Sequence, residues 1–179
     1  DWASAAFHFS SLRMRADTAQ WGEYAARGEA AAHLRSGDAA GARHALLLYS
    51  PATAEAEKTV ARYAATPNKI PWVGGVMGLI PGLGYAYSGE YANALRSLIL
   101  NSLFIWAMVE TAQEDQWALF SVATFFELTW YTGSIYGGID AAHRHNQSRL
   151  DQAVQTIRGE TQILPDEKTL PLISLQFQF

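Results

Sequence analysis

Glu127 is the one acid in the interior of an apolar run, Trp117–Gly138. Holding a carboxylate in hydrocarbon costs roughly 2.5–3.5 kcal/mol, so this residue must face a partner or be protonated, and the chemistry open to it is proton or ion relay. The simpler expectation is a structural contact to Arg96, Asn101 or a tyrosine hydroxyl. Asn101, inside a second apolar run with Ser102 beside it, fits interhelical hydrogen bonding. Glu110 adjoins the polar stretch Gln113–Gln116 and reads as an interfacial carboxylate. His143 and His145 stand two apart, which sends them to different sides of a helix and makes poor ligand geometry, and His8 between Phe7 and Phe9 reads as solvent-facing. There is no glycine-rich phosphate loop, H-E-x-x-H, ordered Ser-His-Asp set or paired-carboxylate motif, and no cysteine to act as nucleophile or ligand. No catalytic residue, no cofactor and no metal are expected, and the chain is not read as an enzyme.

The elements that must hold Glu127 and Asn101 are three apolar segments, Ile70–Ser88, Ala94–Ala112 and Trp117–Gly138. Each is about as long as a helix must be to cross roughly 30 Å of hydrocarbon. Between Lys69 and Asp140 the charged residues are Glu90, Arg96, Glu110, Glu114, Asp115 and Glu127. Arg96 can snorkel to an interface, and Trp106, Trp117, Trp130, Tyr131 and Tyr136 suit an aromatic belt. Gly133 and Gly137 form a Gly-x-x-x-Gly face for helix contact. In the first segment Pro81-Gly82 interrupts the helix near its centre, so a kinked or re-entrant pair of half-helices is expected, with neighbours covering the freed backbone groups. Gly74, Gly78 and Gly82 recur every fourth residue and allow that cover.

Pro81-Gly82-Leu83-Gly84-Tyr85-Ala86-Tyr87-Ser88-Gly89 resembles the Pro-Gly-x-Gly-x-x-Tyr-x-Gly signature of small bacterial membrane proteins related to the TM2 domain. Tyr131-Thr132-Gly133-Ser134-Ile135-Tyr136-Gly137, followed by Asp140, Ala141, Ala142 and Asn146, is similar to the end of that region in envelope proteins with tetratricopeptide-like helices before it. The resemblance implies a helical hairpin in the bilayer and a bacterial envelope location, inner or outer membrane, and implies no activity. A TM2 domain usually has two spans, and this chain carries an extra apolar segment.

Before Lys69 three helices are expected: Ala16–Leu34, with Asp17 as N-cap and Trp21, Tyr24, Ala25, Ala31 and Leu34 recurring near the 3.6 period as its apolar face, then Ala39–Leu48, and Ala54–Ala65. Ala31-x-x-Leu34-x-x-Gly37-Asp38-x-x-x-Ala42 resembles the joint of a tetratricopeptide repeat. One such repeat cannot bury its own face, so a helical hairpin packed on this chain or on a partner is the plainer reading.

After Asp140 an amphipathic helix is expected to Arg158, with Asp140 and Arg144 as an i,i+4 pair. At the end Ile173, Leu175, Phe177 and Phe179 alternate with polar residues, the period of a β-strand. A lone strand needs a sheet edge. Addition to a partner, pairing with the Phe7–Phe9 end and disorder are the open alternatives.

A net charge of -4 and the lack of a basic block exclude nucleic-acid binding. The chain starts at Asp1, read as the product of secretory-signal removal or as a chain boundary. The acidic Gln113–Gln116 turn is expected outside, with the basic residues Arg96, His143, Arg144 and Arg149 inside. A spanning first segment puts the amino-terminal module in the periplasm; a re-entrant one puts it inside.

The expected molecule is an all-α integral membrane protein with a helical hairpin module at 1–68, about three membrane helices at 69–142 and an amphipathic helix with a strand-like tail at 143–179. Its packing residues are Gly74, Gly78, Pro81, Gly82, Gly84, Tyr87, Gly89, Gly133 and Gly137. Its intramembrane polar residues are Asn101 and Glu127. Its partners are the lipid bilayer and other envelope proteins, gripped by the amino-terminal helices and by the strand Ile173, Leu175, Phe177 and Phe179. The expected role is a non-catalytic accessory or scaffolding subunit. The alternatives are a transporter or ion-conducting element using Glu127, with a helix broken at Pro81-Gly82, and a soluble helical adaptor.

Overall fold

In a computed structural model the described residues are 1–49 and 53–159, and among them the secondary structure is eight helices and no strand. They are α1 (Trp2–Arg15), α2 (Ala19–Arg35), α3 (Ala39–Leu47), α4 (Ala54–Ala65), α5 (Pro71–Met77), α6 (Leu83–Tyr87), α7 (Tyr91–Gln113) and α8 (Trp117–Arg158). The strand expected at Ile173, Leu175, Phe177 and Phe179 lies outside the described residues. The Phe7–Phe9 end offers it no edge, because both residues are inside α1. The described residues divide into two compact units, those of 1–61 with 153–159, and Arg62–Gln152.

In the first unit small residues set the packing. Thr18, rather than Asp17, caps α2 by accepting from the Trp21 amide at 3.4 Å, and Asp38 caps α3 by accepting from Gly41 at 2.8 Å. Gly37 between them takes φ +86°, the left-handed conformation a tight helix–helix joint needs. The buried face of α2 is Ala25, Ala26, Ala30, Ala31, Ala32 and Leu34, and Leu46, Val60 and Ile157 are buried in the same unit. Trp21 and Tyr24, expected on that face, are half exposed. The ring of Phe9 lies against Gly28, where a β-carbon would sit 2.8 Å from Cζ. Arg13 on α1 reaches Glu29 on α2 with Nε to Oε2 at 2.7 Å and Nη2 to Oε1 at 3.4 Å.

The second unit corrects the expectation of about three membrane helices. One helix among those described, Tyr91–Gln113, is long and apolar enough to cross a membrane, at about 35 Å for 23 residues. The first segment fails because its break divides it into α5 of 7 residues and α6 of 5, each far shorter than a bilayer core. The third segment and the expected carboxy-terminal helix are one helix of 42 residues, since nothing between Trp117 and Arg158 stops it. Its apolar half is diluted by Glu127 and by Trp, Tyr and Thr residues, so it does not meet the same standard.

Glycine makes the second unit's packing possible. Gly74 on α5, Gly84 on α6 and Gly138 on α8 meet backbone to backbone; a β-carbon on Gly84 would lie 2.9 Å from the Gly138 Cα. One turn away a β-carbon on Gly78 would lie 2.8 Å from the Ile135 Cα. Gly82, with φ +86°, sits against the backbone of Ala94 and combines a turn with a close approach.

Candidate functional site

The second unit is built with its polarity reversed. Its buried side chains larger than alanine are Ser88, Asn101, Glu127 and Ser134, and its buried apolar side chains are Ala141 and Ala142. Its large apolar residues face outward instead: Trp72, Leu98, Ile99, Trp106, Val109, Val122 and Phe125 are among them, with Trp106 61% and Phe125 67% exposed. A water-soluble domain arranges these classes the other way, and an exposed apolar surface this continuous marks a lipid or partner contact.

The inward polar side chains form a seam between α7 and α8. Ser134 is its hub. Its Oγ receives the Gly82 amide at 3.3 Å and stands 3.1 Å from the Ser97 Oγ. The Asn101 Nδ2 donates to the Ser97 carbonyl at 2.7 Å. Tyr131 donates its hydroxyl to the Leu79 carbonyl at 3.1 Å. Two α8 side chains thus take up backbone groups at the Pro81-Gly82 break, as a helix interruption away from water requires. The Phe104 and Phe126 rings stack at 6.0 Å further along the same pair of helices.

Two buried atoms of the seam have no hydrogen-bond partner, Asn101 Oδ1 and Glu127 Oε2. Glu127 is 8% exposed, yet none of its expected partners reaches it. Arg96 donates to Asn93 at 3.2 Å, Asn101 to Ser97, and Tyr131 to Leu79. The structural contact foreseen for Glu127 is therefore not made. A cavity beside Ser97 and Ser134 is lined by other residues, so the carboxyl does not open on it.

The remaining singled-out residues fall as follows. Gly74, Gly78, Gly82 and Gly84 lie in the α5–α6–α8 junction, and Gly137 lies against the Tyr85 ring. Gly89 and Gly133 have open space where a β-carbon would go; Gly89, at φ +86°, serves the turn before α7. The helix-contact glycine of α8 beside Gly137 is Gly138 rather than Gly133. Pro81 sits in the turn joining α5 and α6, and the Tyr87 hydroxyl accepts the Ile70 amide at 3.0 Å. The Lys69 ammonium lies 4.6 Å from the centre of the Tyr87 ring.

One end of this unit carries contacts that sequence reasoning missed. Arg144 makes the expected i,i+4 pair with Asp140 and, unforeseen, also grips Glu90 with two hydrogen bonds of 2.9 Å. Asn146 exchanges two 2.8 Å bonds with the Lys69 backbone. Arg149 closes the end of α4 through the Tyr63, Thr66 and Pro67 carbonyls and the Asn68 side chain. The only signal available in one dimension was the unusual density of Arg, His and Asn after Ala142.

Arg144 holds Glu90 below the usual carboxylate range, chiefly by its hydrogen bonds, against the opposing effect of burial; Glu90 in turn raises the guanidinium. A carboxylate whose folded pKa is depressed contributes stability above its unfolded value and loses it as pH falls through the folded value. Arg144→Gln should thus lower the unfolding stability of the purified protein near pH 7. The deficit should be about 1 kcal/mol or less, because Arg144 is half exposed. It should shrink toward zero as the pH is taken below the carboxylate range. A deficit unchanged by acid, measured by thermal unfolding, would mean that the pair contributes through packing alone.

Among the described residues no cluster of three His, Asp or Glu side chains is placed to hold a metal ion. No protein-family model, curated protein or solved structure matches the chain.

Proposed function

We propose that this protein is a non-catalytic scaffolding subunit of the bacterial cell envelope, anchored in lipid by α7 with the apolar half of α8 packed along it. The observation that carries the reading is the reversed polarity of the Arg62–Gln152 unit, with Asn101, Glu127 and Ser134 inside and Trp106, Val122 and Phe125 outside. Lipid rewards that arrangement and water penalises it, by roughly 1.5–3 kcal/mol for each large apolar side chain left exposed. The resemblance of Pro81–Gly89 to TM2-domain proteins points to the same environment.

Charge gives the orientation. Glu90 and Arg144 join the start of α7 to the latter part of α8, so these helices run antiparallel, with Lys69, Arg96, Arg144 and Arg149 toward one end and Glu110, Glu114 and Asp115 toward the other. The positive-inside rule then puts the basic end in the cytoplasm. Residues 66–69, tied to Arg149 and Asn146, enter from that same end, which favours a cytoplasmic rather than a periplasmic amino-terminal module.

The helical module supplies the scaffold surface. Trp2, Phe7, Met14 and Trp21 are exposed on it, and aromatic and methionine side chains are enriched where proteins meet. Alkaline carbonate extraction of native membranes tests the anchor. The chain should stay in the pellet and be released by mild detergent together with its partner proteins. Recovery in the aqueous fraction would favour a soluble adaptor that covers the α7–α8 surface with another protein.

A further inference from the structure

The end of the Arg62–Gln152 unit where α7 begins holds more positive charge than its bonded acids compensate. Lys69, Arg96, Arg144 and Arg149 are its cations, and the carboxylates bonded to them, Glu90 and Asp140, both go to Arg144. The other three have neutral partners among the described residues. Lys69 lies against the Tyr87 ring and gives none of its ammonium protons to an acceptor there. Arg149 bonds the carbonyls of Tyr63, Thr66 and Pro67 and the Asn68 side chain, which take up its hydrogens and leave its charge. Arg96 is exposed and bonds to the Asn93 side chain at 3.2 Å, so its guanidinium bends back toward the start of α7 rather than along the apolar length of the helix. Asn93 in turn donates to Glu90 at 2.7 Å, and contacts run unbroken from Arg96 through Asn93 and Glu90 to Arg144. Asn146, two residues past Arg144, fixes Lys69 to the same stretch of α8.

We infer that this basic end binds the headgroups of anionic phospholipids and ties the chain to the leaflet that carries them. The inference rests on the membrane reading above. Two observations select the occupant. The first is charge: the uncompensated cations gather at this end, whereas Glu110, Glu114 and Asp115 stand at the other, so the attraction is one-sided. The second is what adjoins the charge. Tyr91, next to Glu90, and Trp72, in the first turn of α5 after Lys69, are both exposed, and Trp and Tyr settle where headgroups meet hydrocarbon. Further along α7, Leu95, Leu98 and Ile99 turn outward, so the cations border the apolar surface that the acyl chains of the same lipids would cover. An acidic soluble protein or a free anion uses the charge alone. Lys69, with its ammonium protons free, and Arg96, with the rest of its guanidinium free, are the groups that can bond a phosphate oxygen. A Lys or Arg at an anionic leaflet strengthens association about fivefold.

The full chain in mild detergent, incubated with equal amounts of palmitoyl-oleoyl phosphatidylglycerol and the phosphatidylcholine with the same acyl chains, tests this by native mass spectrometry. With two free cations the wild type should retain the anionic lipid at least about tenfold better, and rising ionic strength should erase the difference. Lys69→Gln with Arg96→Gln should bring the two lipids to within about twofold, whereas the charge-keeping pair Lys69→Arg with Arg96→Lys should keep the preference. Glu90→Gln has the opposite sign. It takes one carboxylate from Arg144 and should raise retention of the anionic lipid by up to about fivefold, a change that a purely structural role for these residues would not produce. Inorganic phosphate should compete no better than chloride at the same ionic strength, which separates a headgroup from a free anion. Equal retention of both lipids by the wild type, a preference that survives the paired glutamine replacement or high salt, or no rise with Glu90→Gln overturns the proposal. If the paired glutamine variant does not fold, the salt series and Glu90→Gln decide. A wild type that stays with membranes through carbonate extraction yet shows no lipid preference sinks this inference alone. Release into the aqueous fraction removes the membrane reading first.

Discussion

Gly138→Val should destabilise the Arg62–Gln152 unit by about 3 kcal/mol. The reason is that no flexible group stands in the way to yield. A β-carbon at position 138 meets the Gly74 carbonyl oxygen and lies 3.0 Å from the Gly84 Cα, so both obstacles are backbone from other helices. α5 and α6 cannot retreat freely either. Gly82 is lodged against Ala94 on the far side and its amide is held by Ser134. The junction is therefore closed from two directions, and a side chain at 138 forces α8 away from the α5–α6 turn. Gly133→Ala makes the contrast. A β-carbon there has nothing within 4 Å, and alanine is the better helix former by roughly 0.5–1 kcal/mol, so this variant should be neutral or more stable. Reversible unfolding of the detergent-solubilised protein distinguishes the two sites. Equal midpoints for the variants at 133 and 138 would mean that the three-helix glycine contact does not form.

These two glycines show what the amino-acid order can and cannot reveal. The spacing of Gly74, Gly78 and Gly82 and the break at Pro81 are local signals, and α5, the turn and α6 follow from them. Which side of α8 meets that turn is decided by the partner surface, so Gly133-x-x-x-Gly137 reads as a contact face, although only Gly137 of the two is in contact, with the Tyr85 side chain, and the backbone approach on α8 is made by Gly138. The number of membrane helices is misread for a related reason. Counting apolar residues in Ile70–Ser88 measures hydropathy, whereas crossing a bilayer needs an unbroken helix, and the proline that makes the segment recognisable is also what shortens it. Similarly, Ser97 and Ser134 carry no mark as individual residues; they matter because an antiparallel pairing brings them within 3.1 Å. Asn101 and Glu127 stand out because polarity inside an apolar run is visible in sequence. Their unpaired oxygens are not, since a missing partner is a fact of three dimensions. In the amino-terminal unit the alanine-rich face of α2 is legible, but its aromatic residues point the opposite way from expectation. Small side chains, rather than large ones, allow α1, α2 and α3 to approach this closely.

Removing Arg13 should cost the amino-terminal unit about 3 kcal/mol. Glu29 is 6% exposed, and Arg13 on α1 is its cation, bonded through two nitrogens. With Arg13→Ala the carboxylate stays buried and loses its partner, a situation that costs about 3–5 kcal/mol when fully enclosed. Arg13 keeps some contact with water, which puts the expected value at the lower end. The pair itself contributes much less than that loss suggests, because both ions were taken out of water to form it. Arg13→Met with Glu29→Met replaces charge by apolar volume, and it should recover all but about 1 kcal/mol. Thermal unfolding of Arg13→Met, Glu29→Met and the double variant supplies the cycle. Equal losses for the single Arg13→Ala and the double replacement would show that packing of the arginine stem, not charge, joins α1 to α2. The consequence reaches function through position. α1 carries Trp2 and Phe7 on the surface proposed for partner binding, and α2 carries Trp21. Arg13→Ala should therefore weaken co-purification of envelope partners even though Arg13 lies in no contact surface, whereas the double replacement, which restores the α1–α2 interface, should restore it.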